Sequence, residues 1–141
     1  MKYHFKIYRE KGGFWAECIE LKGCMTQGNS LSELRSNMQD ALNLYLQEPE
    51  TSNSVFPVPR KVVKAKEVEA VPVDPSIAFA ISLRAARIHH KMTQMQAAKR
   101  LGLKNLYSYQ RLESARTANP ALKTIARVKT VFPELVLDEV V

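Results

Sequence analysis

The sequence predicts an α+β chain in two parts, a small strand-and-helix module followed by an all-helical one. Three observations predict it. Tyr3 to Tyr8 alternates apolar and polar side chains as a half-buried strand does, and Phe14 to Leu21 is again rich in aromatic and apolar residues. Thr93 to Glu113, TQMQAAKRLGLKNLYSYQRLE, instead spells two short helices around a glycine turn. Charge divides the same way: residues 1–60 carry seven basic and seven acidic side chains, residues 61–76 three of each, and residues 77–141 eleven basic against four acidic. The whole formal charge of +7 therefore lies in the helical part. A basic domain joined to a neutral one is the electrostatic footprint of a nucleic-acid binder, because neutralising phosphates releases counterions. A solvated basic face on an ordinary helical bundle is the alternative.

Within the first module, Tyr3, Phe5 and Ile7 alternate with His4, Lys6 and Tyr8, which predicts a strand. Lys11-Gly12-Gly13 makes a turn, and Phe14 to Leu21 a second strand of a hairpin. Cys24 to Gln27 adds a third. Ser30 and Glu33 have capping-box spacing and open a helix to about Gln47, with Leu31, Leu34, Met38, Leu42, Tyr45 and Leu46 on one stripe. Glu48-Pro49 ends it, since proline disfavours helical geometry in the residue before it. Cys18 and Cys24 make half a zinc site at most, so no metal is expected. Reduced thiols are expected, with a disulfide between strand and turn as the alternative.

These residues resemble the HicB antitoxin family, through Gly13-Phe14-Trp15-Ala16, Leu21-Lys22-Gly23-Cys24, Thr26-Gln27-Gly28-Asn29-Ser30, Glu33, Ala41-Leu42, Tyr45-Leu46 and Phe56-Pro57-Val58-Pro59. The resemblance implies a degenerate ribonuclease-H-like β-β-β-α-β module over residues 1–60 that binds and neutralises HicA, a small ribonuclease. Ribonuclease-H chemistry needs clustered carboxylates to hold its metal ions. The first strand, Lys2 to Tyr8, contains no acid, Glu17 and Glu20 fall on opposite faces of a regular second strand, and Glu33 reads as a helix cap. The module is expected to be no enzyme and to need no cofactor. A lone exposed His4 is expected to be an ordinary surface residue. Trp15, Glu17, Glu20 and Asp40 are the candidate toxin contacts, because acidic and aromatic groups suit a basic RNA-binding partner.

Residues 61–74 are expected to be a linker, either flexible or with short strands at Val62-Val63 and Val68 to Val73, where an edge strand can pair with a second copy. Asp74-Pro75 is a cap and first-turn proline that opens the helical domain, residues 75–141. Ile77, Ala78, Ile81, Ala85 and Ile88 are its first buried stripe, and His89, His90 and Lys91 suit the helix C-terminus. Thr93 and Gln96 form a capping box, Ala97, Ala98 and Leu101 face inward, and Gly102 turns the chain. Asn105 caps the next helix, which buries Tyr109 and Leu112. A last helix, Ala121 to Phe132, supplies Leu122, Ile125, Ala126, Val128 and Val131 to the core. The tail from Leu135 is expected as a strand that joins a partner chain.

Leu83 to Phe132 resembles the Cro/C1-like or Xre-type helix-turn-helix family, through Thr93-Gln94, Ala98, Leu101-Gly102-Leu103 and Arg111-Leu112-Glu113. The interval from Gly102 to Glu113 is one residue longer than the common family spacing. The resemblance implies that the second helix enters the major groove of operator double-stranded DNA. Gln110 then pairs with adenine and Arg111 with guanine, while Tyr107 or Ser108 touches phosphate or base edges. Gln94 is the expected phosphate contact from the preceding helix. Asn105, Lys104 and Arg116 complete the candidate DNA-binding set, and Lys99 and Arg100 add unspecific attraction. A homodimer or higher homo-oligomer is expected on a near-palindromic site.

No apolar run approaches the roughly 20 residues that span a bilayer. The N-terminus alternates rather than forming a signal-peptide core, so a cytoplasmic protein without membrane association is expected. The expected function is antitoxin and autorepressor. A stand-alone helix-turn-helix regulator, whose first module senses a ligand or mediates assembly, is the alternative.

Overall fold

The computed structural model describes all 141 residues, Met1–Val141. In chain order the elements are β1 (Lys2–Glu10), β2 (Gly13–Cys18), β3 (Met25–Gly28), α1 (Leu31–Leu46), β4 (Val68–Pro72), α2 (Pro75–His89), α3 (Gln94–Arg100), α4 (Leu106–Glu113) and α5 (Leu122–Val131). A 3-10 turn at Leu137–Glu139 follows. The fold is α+β, with one antiparallel sheet of order β3-β2-β1-β4 and five α-helices. No helix is long and apolar enough to cross a membrane.

Two compact units result, Met1–Leu46 with Phe56–Asp74, and Gln47–Val55 with Pro75–Val141. The expected linear boundaries at 60 and 74 are thus corrected. Residues 61–74 belong to the first unit because β4 adds an edge to β1, pairing Tyr3 with Val71 and Phe5 with Glu69. Val62-Val63 forms no strand. Residues 47–55 belong to the second unit because its arginines hold them.

In the first unit β1 and β2 form the expected hairpin, with Phe5 opposite Cys18 and Ile7 opposite Ala16. Tyr3, Phe5, Ile7, Ala16 and Cys18 turn one face of the sheet into a core, against which α1 buries Leu34, Met38, Leu42 and Leu46. Each such side chain stabilises the unit by about 1.5–3 kcal/mol. Leu31 and Tyr45 lie at the margin of the expected stripe, and Tyr45 donates from its hydroxyl to the Lys22 carbonyl at 2.9 Å. Gly28 lets α1 approach the sheet: a Cβ there would stand 2.7 Å from the Leu34 backbone nitrogen. The Ser30 hydroxyl accepts from Glu33 N–H at 3.1 Å, but the Glu33 carboxylate reaches back to Asn29 N–H rather than to Ser30. Both cysteines are buried and free. Burial pushes the Cys18 thiol up to about 12 and the Cys24 thiol up to about 11.

In the second unit α2 is buried around most of its circumference, through Ile77, Ala78, Phe79, Ala80, Ile81, Leu83 and Ala86. Ala85 and Ile88 are half-buried, so the expected stripe was too narrow. Helix α5 buries Val128, and Phe132 follows it into the core, but Leu122 is 84% exposed and contributes nothing there. Ala126 is exposed as well. The tail is a 3-10 turn, not a strand. Leu135 and Val140, five residues apart, are both buried, and a strand would send them to opposite faces. The Lys129 ammonium fixes the entry to the tail by donating to the carbonyls of Pro133 at 2.8 Å and Leu135 at 2.6 Å. His90 does not simply end α2, because its Nε2 stands 2.6 Å from the Glu134 carboxylate.

Candidate functional site

Helices α3 and α4 are built from local signals. Thr93 accepts from Gln96 N–H while the Gln96 side chain accepts from Thr93 N–H, so the capping box is complete. Gly102, at φ +70°, adopts the left-handed conformation that a β-carbon disfavours and turns the chain. Asn105 caps α4 by accepting from Ser108 N–H at 2.8 Å. Ala97, Ala98 and Leu101 are buried on one side of the turn and Tyr109 and Leu112 on the other.

Beneath this pair lies a buried polar centre. The Glu113 carboxylate is fully buried and accepts from Arg87 Nε at 2.6 Å and Nη2 at 3.2 Å, from the Tyr109 hydroxyl at 2.6 Å and from Gln94 Nε2 at 3.0 Å. Arg87 also donates to the Met92 carbonyl and to Asn53 Oδ1. Arg84, equally buried, donates from Nη2 to the Glu113 and Pro49 carbonyls, while its Nε and Nη1 have no hydrogen-bond partner. Burial holds the Arg84 guanidinium below its ordinary pKa despite the nearby Glu113 and Glu48. Burial acts against Arg87 too, but the hydrogen bond and charge of Glu113 outweigh it and raise its pKa. Tyr109 is pushed well up, first by burial and then by Glu113.

This centre was not read from the sequence. Its signals were a basic residue, Arg84, three places after Ile81 on an apolar stripe, and Glu113, the one acid of the helical part outside its last nine residues. A charge needing that much desolvation survives only when paired.

Above the centre, α4 presents Tyr107, 64% exposed, and the exposed Arg111 one turn later. The Arg111 guanidinium lies 5.7 Å from the Tyr107 ring centroid and donates to its hydroxyl at 3.3 Å. With Gln110, Ser114, Arg116, Thr117 and Glu50 they line a cleft of about 340 Å³. Tyr107, Gln110, Arg111 and Arg116 are thus brought together. Lys104 is exposed before α4 and does not line that cleft.

Three of the expected contacts have other work. Gln94, the expected phosphate contact, also acts as a brace: its amide nitrogen donates to Glu113 and to the Glu50 carbonyl, and its Oε1 accepts from Gln110 at 3.1 Å. Gln110 keeps its own carbonyl oxygen and a second N–H for a ligand. Asn105 and Ser108 are joined in the cap, the Ser108 hydroxyl donating to Asn105 Oδ1 at 3.0 Å.

In the first unit the sheet face opposite α1 carries Lys6, Tyr8, Trp15, Glu17 and Met25. Trp15 is no core residue: its ring stacks on Tyr8 at 4.1 Å, on the half-exposed face. The Tyr8 hydroxyl donates to Glu17 at 2.9 Å, so Trp15 and Glu17 form one patch with Met25, which is 55% exposed. Asp40 is exposed on α1 and lies apart from that patch in the sheet. Glu20 is corrected from a candidate contact to a structural acid. Only 2% of its side chain is exposed, and it accepts from His4 N–H at 2.9 Å, from His4 Nδ1 at 2.7 Å and from Arg60 N–H at 3.0 Å. His4 is accordingly no free surface histidine. No three His, Cys, Asp or Glu side chains are grouped as a metal would need.

No family model matches the chain. Over 65 residues it is 32% identical to a UPF0150 protein of Synechocystis sp., a match that takes in 44% of this chain and 82% of that protein. Over 50 residues it is 36% identical to a UPF0150 protein of Helicobacter pylori, taking in 36% of this chain and 69% of that protein.

Proposed function

The chain belongs to the UPF0150 family, and on that premise we propose that it is an antitoxin. Its first module binds and neutralises a HicA-type ribonuclease, and its second represses the operon by binding operator DNA as a homo-oligomer. The match takes in 44% of this chain, about the length of one module, and is read as the first, where the HicB-like residues lie. The toxin-facing surface is the Trp15, Tyr8 and Glu17 patch on the sheet face opposite α1, which suits a basic RNA-binding protein, and Asp40 on α1 is a contact only if the toxin reaches a second face.

One observation carries the DNA half of this reading: Tyr107, Gln110, Arg111 and Arg116 share a cleft on α4, while α3 braces Gln110 from below through Gln94. This supports reading α3 and α4 as a helix-turn-helix, in which a braced first helix would position a second whose exposed side chains would meet base edges. The excess of eleven basic over four acidic side chains supports it.

Binding is occlusion on one side and base readout on the other, and neither needs catalysis. The experiment is a titration of two duplexes, one taken from upstream of the chain's own coding sequence and one scrambled. Arg111→Ala is expected to lose about 1–3 kcal/mol on the upstream duplex and little on the scrambled one, whereas Lys104→Ala weakens both alike. Equal losses on both duplexes for both variants overturn the readout by α4.

A further inference from the structure

The cleft on α4 contains one residue that no element of the helical region supplies. Glu50 lies 57 positions before Tyr107, in the stretch between α1 and β4, yet it lines the same cleft as Tyr107, Arg111 and Arg116. Its position is held at several points. Gln94 donates to the Glu50 carbonyl, Arg84 to the Pro49 carbonyl at 3.1 Å, and Arg87 to Asn53 Oδ1 at 3.1 Å. A turn with Ser52 N–H donating to the Pro49 carbonyl at 2.9 Å, and Ser54 N–H donating to Ser52 Oγ at 3.0 Å, fixes the backbone between them. The Glu50 carboxylate itself is exposed and forms no ion pair with Arg111 or Arg116.

This negative charge shares its cleft with the side chains of Arg111 and Arg116 and joins no ion pair of the fold. Its effect falls on whatever anion approaches. We propose that Glu50 is a residue that limits DNA affinity: a counter-charge, held in place by the Gln47–Val55 strap, that weakens sequence-independent phosphate attraction at the α4 cleft. The proposal rests on the DNA-binding reading of α4. Phosphates are the same in every duplex, so a carboxylate beside them lowers affinity for all sequences. Base contacts from Gln110 and Arg111 then decide a larger share of the remaining affinity. The alternative chemistry for a carboxylate in a groove is to accept from a cytosine amine, which would strengthen one sequence only. The strap favours the first. It holds Glu50 at the rim through backbone groups and leaves the carboxylate itself unaimed by any hydrogen bond.

The test uses the full chain, the upstream and scrambled duplexes, and the variants Glu50→Gln, Glu50→Lys and Glu139→Gln. Glu139 is exposed in the tail and lies outside the cleft, so its variant changes net charge by the same amount as Glu50→Gln. A unit charge a few ångströms from a phosphate in largely aqueous surroundings alters affinity by about three- to tenfold. Glu50→Gln is therefore expected to bind the scrambled duplex about three- to tenfold more tightly. Glu50→Lys goes further and steepens the salt dependence by about one counterion. Glu139→Gln is expected to leave binding within about twofold of the unaltered chain, because it does not line the cleft and exposed charges outside it are screened by salt. The upstream duplex tightens by about the same factor as the scrambled one, so the ratio between the two duplexes is unchanged in both Glu50 variants. Equal tightening by Glu139→Gln, no change in Glu50→Gln, or weaker binding of the upstream duplex alone overturns the proposal while the DNA reading stands. If the unaltered chain binds neither duplex, the DNA reading falls and this proposal with it.

Discussion

Glu113 is the residue on which the second unit depends most, and Glu113→Gln tests that. The substitution keeps the shape of the side chain and removes its charge. Four hydrogen bonds end on the native carboxylate, two from Arg87, one from Tyr109 and one from Gln94. All four partners donate to it, so the new amide group points its own N–H bonds at the Arg87 guanidinium, which cannot accept, and only the Tyr109 hydroxyl can turn to accept one. Arg87, 3% exposed, is left as a buried cation without its counter-charge, and Arg84, 1% exposed, keeps only the nearby Glu48. Breaking a buried pair in this one-sided way costs about 3–5 kcal/mol. That is a large part of the stability of so small a unit, about 5 kcal/mol at the lower end of natural domains. Urea denaturation followed by far-ultraviolet circular dichroism reads the loss. Arg87→Met added to Glu113→Gln is expected to cost less than the sum of the two single variants by more than about 1 kcal/mol, because they break the same pair. A single-variant cost below about 1 kcal/mol, or strict additivity, refutes the central role of this pair.

Other outcomes follow from the first unit. Burial opposes ionisation of Glu20, yet hydrogen bonds from the His4 ring, His4 N–H and Arg60 N–H hold its carboxyl below the usual range. A depressed folded pKa contributes stability that is present above the ordinary carboxylate range and is lost as pH falls through the folded value. Thermal melts from neutral to about pH 3 should therefore show a steeper decline for the native chain than for Glu20→Gln, and parallel curves count against the assignment. Gly28→Ala places a Cβ 2.7 Å from the Leu34 backbone and should cost about 1–3 kcal/mol, read as a lower urea midpoint; an unchanged midpoint means α1 shifts freely. Alkylation of Cys18 and Cys24 at neutral pH should need unfolding, since both thiols are buried and titrate far above neutrality. Rapid labelling of the native chain would contradict that.

What was legible in the sequence was local. The Thr93 and Asn105 caps, the Gly102 turn and the inward Ala97, Ala98, Tyr109 and Leu112 depend on spacings of four residues or fewer, and periodicity reads such spacings well. Strand β4 was ambiguous for the opposite reason. EVEAVPV has β-branched residues but an edge position and a proline, and its pairing with β1 joins residues as far apart in sequence as Lys2 and Pro72. The site's interior was hidden because periodicity assigns polar side chains outward. Arg84, Arg87 and Glu113 are inside only because each finds its opposite across the unit, and Gln94 is turned from the surface by the same network. Glu50 was hidden most deeply, since nothing in the sequence near α4 announces a residue from before β4.

The antitoxin claim is tested most directly by RNA cleavage. The chain would be co-expressed with the small basic protein encoded beside it, the complex purified, and degradation of a model messenger RNA measured before and after the chain is removed by denaturation and the partner refolded. The account predicts co-purification, no cleavage by the complex, cleavage by the refolded partner, and renewed inhibition when the chain is added back. It further predicts weaker inhibition by a chain carrying Trp15→Ala and Glu17→Lys. A neighbouring protein that does not co-purify, or whose ribonuclease activity the chain leaves untouched, would contradict it.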